Sequence, residues 1–129
     1  MSNNGLGVEV TTGRIATVHD AAALGNGIGY VSFGGKLSVD HCVAAGGTTG
    51  VLITGLTGDV SVTDCTIANN SSDGITARTS GTGRLTRNTI TRNGIGIENI
   101  SGTVHSAGDN VVDGNTMETS GTITAANKA

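Results

Sequence analysis

The chain has 129 residues, enough for one small domain, with 22 glycines, no proline and only two aromatic residues. Seven basic and ten acidic side chains give a net charge of −3, so the chain lacks the electropositive surface that nucleic acids and anionic membranes attract. No apolar run reaches the about 18 residues of a membrane helix. We therefore expect no nucleic-acid partner and no membrane insertion.

Glycines recur in two ladders along the chain, and the second ladder steps by 19 to 23 residues. The opening ladder consists of Gly5, Gly27, Gly50, Gly74, Gly94 and Gly114. The closing ladder consists of Gly13, Gly35, Gly58, Gly81, Gly102 and Gly121. Two ladders in register at this period predict a solenoid with one coil per repeat. We expect one domain over residues 1–129, with coils that start near residues 5, 27, 50, 74, 94 and 114 and a loose tail at 122–129.

The segment between the two glycines of each coil alternates apolar with small or polar residues, which is the period of a half-buried strand. The side chains predicted to point inward are Leu6, Val8, Ile28, Tyr30, Val51, Ile53, Ile75, Ala77, Ile95 and Ile97. A shift by one residue would turn each set outward, so the pattern specifies the register.

Two further strands follow in each coil. The second strand carries the apolar residues Ile15, Leu37, Val39, Val60, Val62, Leu85 and Val104. The third strand carries Ala44, Ile67, Ile90 and Val112, whereas residues 21–24 of the first coil favour a helical turn. Three strands per coil predict an all-β fold, a parallel β-helix of about six coils.

A column of Cys42, Cys65, Asn88 and Asn110 should lie at the turn between the second and third strands, where stacked asparagines bond to one another. Neighbouring strands lie about 4.8 Å apart, which is also compatible with a disulfide between the two cysteines. Two buried thiols are the preferred interpretation, and the bonding state is left open.

The stretch from Asn88 to Asn115 reads NTITRNGIGIENISGTVHSAGDNVVDGN. It resembles the right-handed parallel β-helix repeat proteins of the pectate-lyase-like superfamily, and in particular the last coils of bacterial secreted proteins of unassigned function. The resemblance implies a right-handed helix and a secreted or cell-surface location. Members of that group usually carry a signal peptide, further coils and a cap. Because none is visible in this sequence, we expect a fragment of a longer chain.

Enzymes of the superfamily use clustered aspartates, with calcium and an arginine in the lyases, on the outer face of one sheet. No acidic cluster of that density is visible here. The best surface candidate is a column of Arg78, Glu98 and Glu118, which are separated by 20 residues each. Two carboxyl groups about 5 Å apart would match the spacing of retaining glycosidases. The alternative, which we prefer, is a surface charge ladder.

A second polar column is expected from His19, His41, Asp64 and Arg87, which are about one repeat apart. Two stacked histidines with Asp64 could bind a metal ion. A column of polar turn residues explains the same pattern and is preferred, so no metal and no cofactor are predicted.

The repeats specify the fold rather than a reaction, which favours a non-catalytic structural or adhesive module of a bacterial surface or secreted protein. With nothing before the first coil to cover its edge, we expect the chain to associate with itself end to end. The alternative is a carbohydrate-active β-helix, a polysaccharide lyase or a glycoside hydrolase, with a polysaccharide as its partner. Enzymatic activity is left open, with a preference for none.

Overall fold

The computed structural model describes residues 1–126, in which every regular element is a β-strand. The strands form three parallel sheets, and each turn of the chain adds one strand to each sheet. Sheet 1 contains β1 (Leu6–Thr11), β4 (Ile28–Phe33), β7 (Thr49–Thr54), β10 (Asp73–Arg78), β13 (Ile95–Asn99) and β16 (Met117–Ser120). Sheet 2 contains β2 (Ile15–His19), β5 (Lys36–Asp40), β8 (Asp59–Thr63), β11 (Thr82–Thr86), β14 (Thr103–Ser106) and β17 (Thr124–Ala125). Sheet 3 contains β3 (Ala22–Leu24), β6 (Val43–Ala45), β9 (Thr66–Ala68), β12 (Thr89–Thr91) and β15 (Val111–Val112).

The parallel β-solenoid predicted from the sequence is confirmed. It has five complete turns and a sixth turn that has two strands within the described residues. The core is a column of stacked apolar side chains between the three sheets, contributed mainly by valine and isoleucine. Leu37, Val60, Ile67 and Ile90 are among the fully buried members, as their positions in the repeat predict.

The lateral register of sheet 1 differs from the prediction in one respect. A Cβ atom on Gly50 would lie 2.6 Å from the carbonyl oxygen of Gly74, and a Cβ on Gly74 would lie 2.6 Å from that of Gly96. On the other side, a Cβ on Gly29 would lie 2.7 Å from the carbonyl oxygen of Gly50. The continuous glycine row is therefore Gly7, Gly29, Gly50, Gly74 and Gly96. These positions exclude side chains because neighbouring backbones approach so closely.

This register moves three residues out of the predicted core. Leu6, Ile28 and Ile95 are half-buried and lie in the row that also holds Thr49 and Asp73. In sheet 2, the predicted core residue Ile15 is 79% exposed. Its strand instead packs against the core through two other residues, Ala16 and Val18.

Residues 21–24 do not form the predicted helical turn, because Ala22–Leu24 pairs with Val43–Ala45 as the first strand of sheet 3. The other edge of β3 is covered by the N-terminal residues. Leu24 N–H donates to the Met1 carbonyl at 2.8 Å, and Asn3 N–H donates to the Leu24 carbonyl at 3.0 Å. The expectation that nothing before the first coil caps it is therefore wrong for sheet 3. At the other end, β17 pairs with β14, so part of the predicted tail is ordered against the helix. Residues 127–129 of that tail lie outside the described part.

The predicted asparagine column is confirmed, and we call it the first ladder (Cys42, Cys65, Asn88 and Asn110). Asn88 Nδ2 donates to Asn110 Oδ1 at 2.9 Å, and Asn88 Oδ1 accepts from Cys65 N–H at 3.0 Å. Cys42 N–H points to Cys65 Sγ at 3.4 Å, so a sulfur occupies the place of the amide oxygen. Both cysteines are buried free thiols, as the preferred interpretation held.

A second ladder runs along the turn between sheets 3 and 1 (Asn26, Gly47, Asn70, Asn93 and Asn115). Asn70 Nδ2 donates to Asn93 Oδ1 at 2.9 Å, and Asn93 Nδ2 donates to Asn115 Oδ1 at 3.0 Å. Gly47 interrupts the side-chain series, although its N–H still donates to Asn70 Oδ1 at 3.2 Å. The two ladders satisfy the backbone groups that the corners would otherwise leave unpaired.

Candidate functional site

The outer face of sheet 1 carries two neighbouring carboxyl groups. In the register of the sheet, Thr76 lies directly opposite Glu98, and its hydroxyl donates to Asp73 Oδ2 at 2.9 Å. Asp73 is almost fully buried. Partial burial and the charge of Asp73 raise the pKa of Glu98 above its usual value of 4.5. A carboxyl with a raised pKa beside a second carboxyl is an arrangement that acid catalysis uses.

The predicted column of Arg78, Glu98 and Glu118 is not formed. Arg78 ends β10 and lies opposite Thr54, whereas Glu98 lies between Thr76 and Ser120. Glu118 Oε2 accepts from Asn115 Nδ2 at 2.8 Å, and its Oε1 accepts from Asn115 N–H at 3.2 Å. The glutamate therefore terminates the second ladder. The predicted spacing of 20 residues is too short, because equivalent positions of β13 and β16 are 22 residues apart. Ligand binding by any of the three side chains stays a prediction.

The second predicted column is shifted by one residue at its first member. Asp20, His41, Asp64 and Arg87 occupy equivalent turn positions with φ between 51° and 54°. His19 belongs instead to strand β2 and lies opposite Asp40 of strand β5. Aspartate tolerates the left-handed backbone region well, which explains two members of this column.

The offset brings both imidazoles onto a single carboxylate. His19 Nδ1 lies 2.8 Å from Asp40 Oδ2, and His41 Nδ1 lies 3.0 Å from Asp40 Oδ1. The two rings stand edge to face, with centroids 5.4 Å apart. The hydrogen bond from His41, with a smaller one from His19, lowers the pKa of Asp40, and Asp40 raises the pKa of His41. We call this group, together with Asp20 and Asp64, the histidine–aspartate cluster.

Two further carboxylates flank the rings. Asp20 Oδ2 lies 2.9 Å from His19 Nε2, and Asp64 Oδ2 lies 3.9 Å from His41 Nε2. Arg87 binds Asp64 in a bidentate fashion at 2.8 and 3.0 Å, which lowers the pKa of that carboxyl. The side chains of the cluster reach solvent, so this network lies on the surface at the end of sheet 2.

The first coil presents a different kind of surface. Within the described residues, β1 and β2 each pair with one strand only, which leaves one row of backbone groups on each strand without a partner strand. Ile15, at the start of β2, is 79% exposed beside a groove of about 290 Å³ that also includes Arg14 and Lys36. An adjoining groove of about 430 Å³ includes the exposed side chains of Phe33 and Leu56.

Sequence reasoning missed two residues of these sites. Asp73 was interpreted only as a corner residue, although its place before Gly74 put it at the start of a strand. Asp40 was interpreted as a turn former, although it precedes His41 and follows His19 by 21 residues. A spacing one residue short of the 22-residue repeat was the available signal.

Comparison with known proteins supports the fold. A family model described as the right-handed beta helix region matches residues 1–127. Comparisons with curated proteins and with solved structures gave no match. Over residues 1–126 there is no helix of the length and apolarity needed to cross a membrane. The match extends over nearly the whole chain, and the three parallel sheets agree with it. The chain therefore belongs to the right-handed β-helix family.

Proposed function

We propose that this chain is a non-catalytic structural module of a bacterial secreted or cell-surface protein, and that it associates with a second copy of itself through the edge of its first coil. The observation that carries the proposal is the open edge formed by β1 and β2. An unpaired strand edge is a template for another strand, because its backbone donors and acceptors are already aligned.

The side-chain chemistry supports the same function. Many of the polar side chains that line up between coils bond to the next coil, as the two asparagine ladders do. Arg84 likewise pairs with Asp59 at 3.4 Å, and Arg87 pairs with Asp64. Such contacts spend the functional groups on holding the rod together.

The position of the exposed apolar residues identifies the end that associates. N-terminal residues cover β3 but leave β1 and β2, and Ile15 projects from β2. Pairing of two such edges would bury Ile15 and satisfy the backbone groups of both strands.

The test is molar mass by light scattering across a range of protein concentration, with two matched variants. Ile15→Lys puts a charge on the edge, where charges oppose strand pairing. Leu56→Lys alters an equally exposed side chain, 82% accessible, in a turn of the third coil away from that edge. We expect dimers of the wild type and of Leu56→Lys and monomers of Ile15→Lys. A wild type that stays monomeric, or equal disruption by both substitutions, would contradict self-association through the first coil.

The second candidate is a carbohydrate-active β-helix, favoured by the Asp73–Glu98 pair on the outer face of sheet 1. Here Glu98 would act as the acid and Asp73 as the second carboxyl. Turnover of acidic and neutral polysaccharides by the wild type, lost in Glu98→Gln and Asp73→Asn, would support it. Glu9→Gln is the control, because Glu9 starts the same outward row in the first coil. An inert wild type would remove this candidate.

A further inference from the structure

We propose that the histidine–aspartate cluster is a zinc site in which His19, Asp40 and His41 are the protein ligands. One ligand atom from each of the three side chains lies within 4.8 Å of the others. Two imidazoles and one carboxylate, with a fourth position left for water, form a donor set typical of zinc.

The hydrogen bonds already show which nitrogen atoms would bind. Both Nδ1 atoms face Asp40, at 2.8 and 3.0 Å, and a zinc ion would replace the protons that these pairs share. Both Nε2 atoms face outward, toward Asp20 for one ring and Asp64 for the other. A ligand histidine commonly donates its second N–H to a carboxylate, which fixes the ring and strengthens the donor atom. The cluster provides such a partner for each ring.

The ligand atoms need only a small rearrangement. Ligands around tetrahedral zinc, at about 2.1 Å from the ion, lie about 3.4 Å from one another. Asp40 is already that close to both rings, so the main movement is of one imidazole toward the other. The side chains of His19 and His41 are 56% and 55% exposed, which leaves them free to rotate without disturbing the core.

The charge of the cluster also suits a dication. Three aspartates stand against a single guanidinium, that of Arg87, which engages Asp64 and leaves Asp40 to the two rings. Magnesium and calcium prefer sites made of oxygen atoms alone, so the imidazoles should discriminate against both ions.

The test is isothermal titration of the full chain, free of any affinity tag, with zinc chloride. We expect one zinc ion per chain, and a loss of affinity of at least about tenfold in both His19→Ala and His41→Asn. Asparagine is chosen at position 41 because it tolerates the φ of 51° found there. His105→Ala is the control, since His105 lies opposite Arg84 in sheet 2 and outside the cluster. Absence of saturable binding, or unchanged affinity in both variants, would overturn the site.

A second measurement excludes the two buried thiols as the binding groups. Cobalt in place of zinc should give the visible absorption of a tetrahedral nitrogen and oxygen site, without a thiolate charge-transfer band. A thiolate band would assign the metal to Cys42 or Cys65 and overturn the proposal. Zinc should also raise the melting temperature of the wild type and of His105→Ala but not of His19→Ala, because only binding to the folded state stabilises it.

Discussion

Replacing Asn88 with alanine tests whether the first ladder holds neighbouring coils together. Asn88 is 1% exposed and makes three side-chain hydrogen bonds. Its Oδ1 accepts from Cys65 N–H at 3.0 Å, and its Nδ2 donates to the Val62 carbonyl at 2.8 Å and to Asn110 Oδ1 at 2.9 Å. Alanine would remove all three bonds and leave the backbone groups of Cys65 and Val62 without this partner.

The expected loss follows from those two buried backbone groups. Leaving a buried donor or acceptor unsatisfied costs about 1–3 kcal/mol, so the pair should lower the free energy of unfolding by about 2–6 kcal/mol. Domains are stable by only about 5–15 kcal/mol, so the variant should remain folded at low temperature and unfold at clearly lower urea concentration.

Urea unfolding followed by circular dichroism measures the loss, with two comparison variants. Thr89→Ala, the next residue and an exposed one, should change stability by less than about 0.5 kcal/mol. Asn88→Cys should lose less than Asn88→Ala, because Cys65 Sγ already faces Cys42 N–H at the equivalent position of the preceding coils. A loss for Asn88→Ala no larger than that for Thr89→Ala, or no rescue by cysteine, would refute the argument.

Three further predictions concern the core, a thiol and a carboxyl group. Ile53→Asp should unfold the chain, because Ile53 is fully buried and the new carboxylate would have no partner, whereas the adjacent outward Thr54→Asp should be tolerated. Circular dichroism compares the two variants, and equal damage would show that the register of sheet 1 is wrong. Burial raises the pKa of Cys65 to about 11, so at pH 8 its thiol should react with a thiol reagent far more slowly in native than in unfolded protein; fast native labelling would contradict its burial. The raised pKa of Glu98 means that folding favours the protonated carboxyl, so stability falls as pH rises above about 4.5 and through the folded-state pKa. Glu98→Gln should therefore be more stable than the wild type at pH 7 and equal to it below pH 4, and an equal melting temperature at pH 7 would count against this.

The period of the solenoid was predictable because each coil repeats the same corner and core residues. Residues that are buried in two adjacent coils, such as Val60 and Val62 of strand β8 and Val39 of strand β5, share one spacing, and the spacing alone identifies them. The first ladder was predictable for the same reason.

The register of sheet 1 was not predictable, because glycine occurs twice in several of the opening segments. Gly27 and Gly29 offer two candidates for the partner of Gly50, and Gly94 and Gly96 offer two for the partner of Gly74. Only the close approach of the backbones decides between them. That choice of glycine produced the wrong spacing for Glu98 and Glu118.

Two other differences arise from tertiary pairing. Three alanines and a leucine at residues 21–24 favour a helix locally, but pairing with β6 and with the N-terminal residues makes them a strand. The histidine–aspartate cluster depends on a turn in which His41 follows the strand that holds Asp40. A one-residue difference between His19 and His41 in the repeat is invisible without the paired strands.

The composition of the two asparagine ladders has a consequence for how the rod opens. Amide-to-amide bonds join Asn88 to Asn110 and connect Asn70, Asn93 and Asn115, so they connect the third to the sixth coil. In the second coil the equivalent positions hold Cys42 and Gly47, which cannot make such bonds. In a solenoid, each coil is stabilised chiefly by its neighbours, so weaker links divide it into units that open separately. Hydrogen exchange should therefore proceed in two steps, with the first two coils opening while the later coils stay closed.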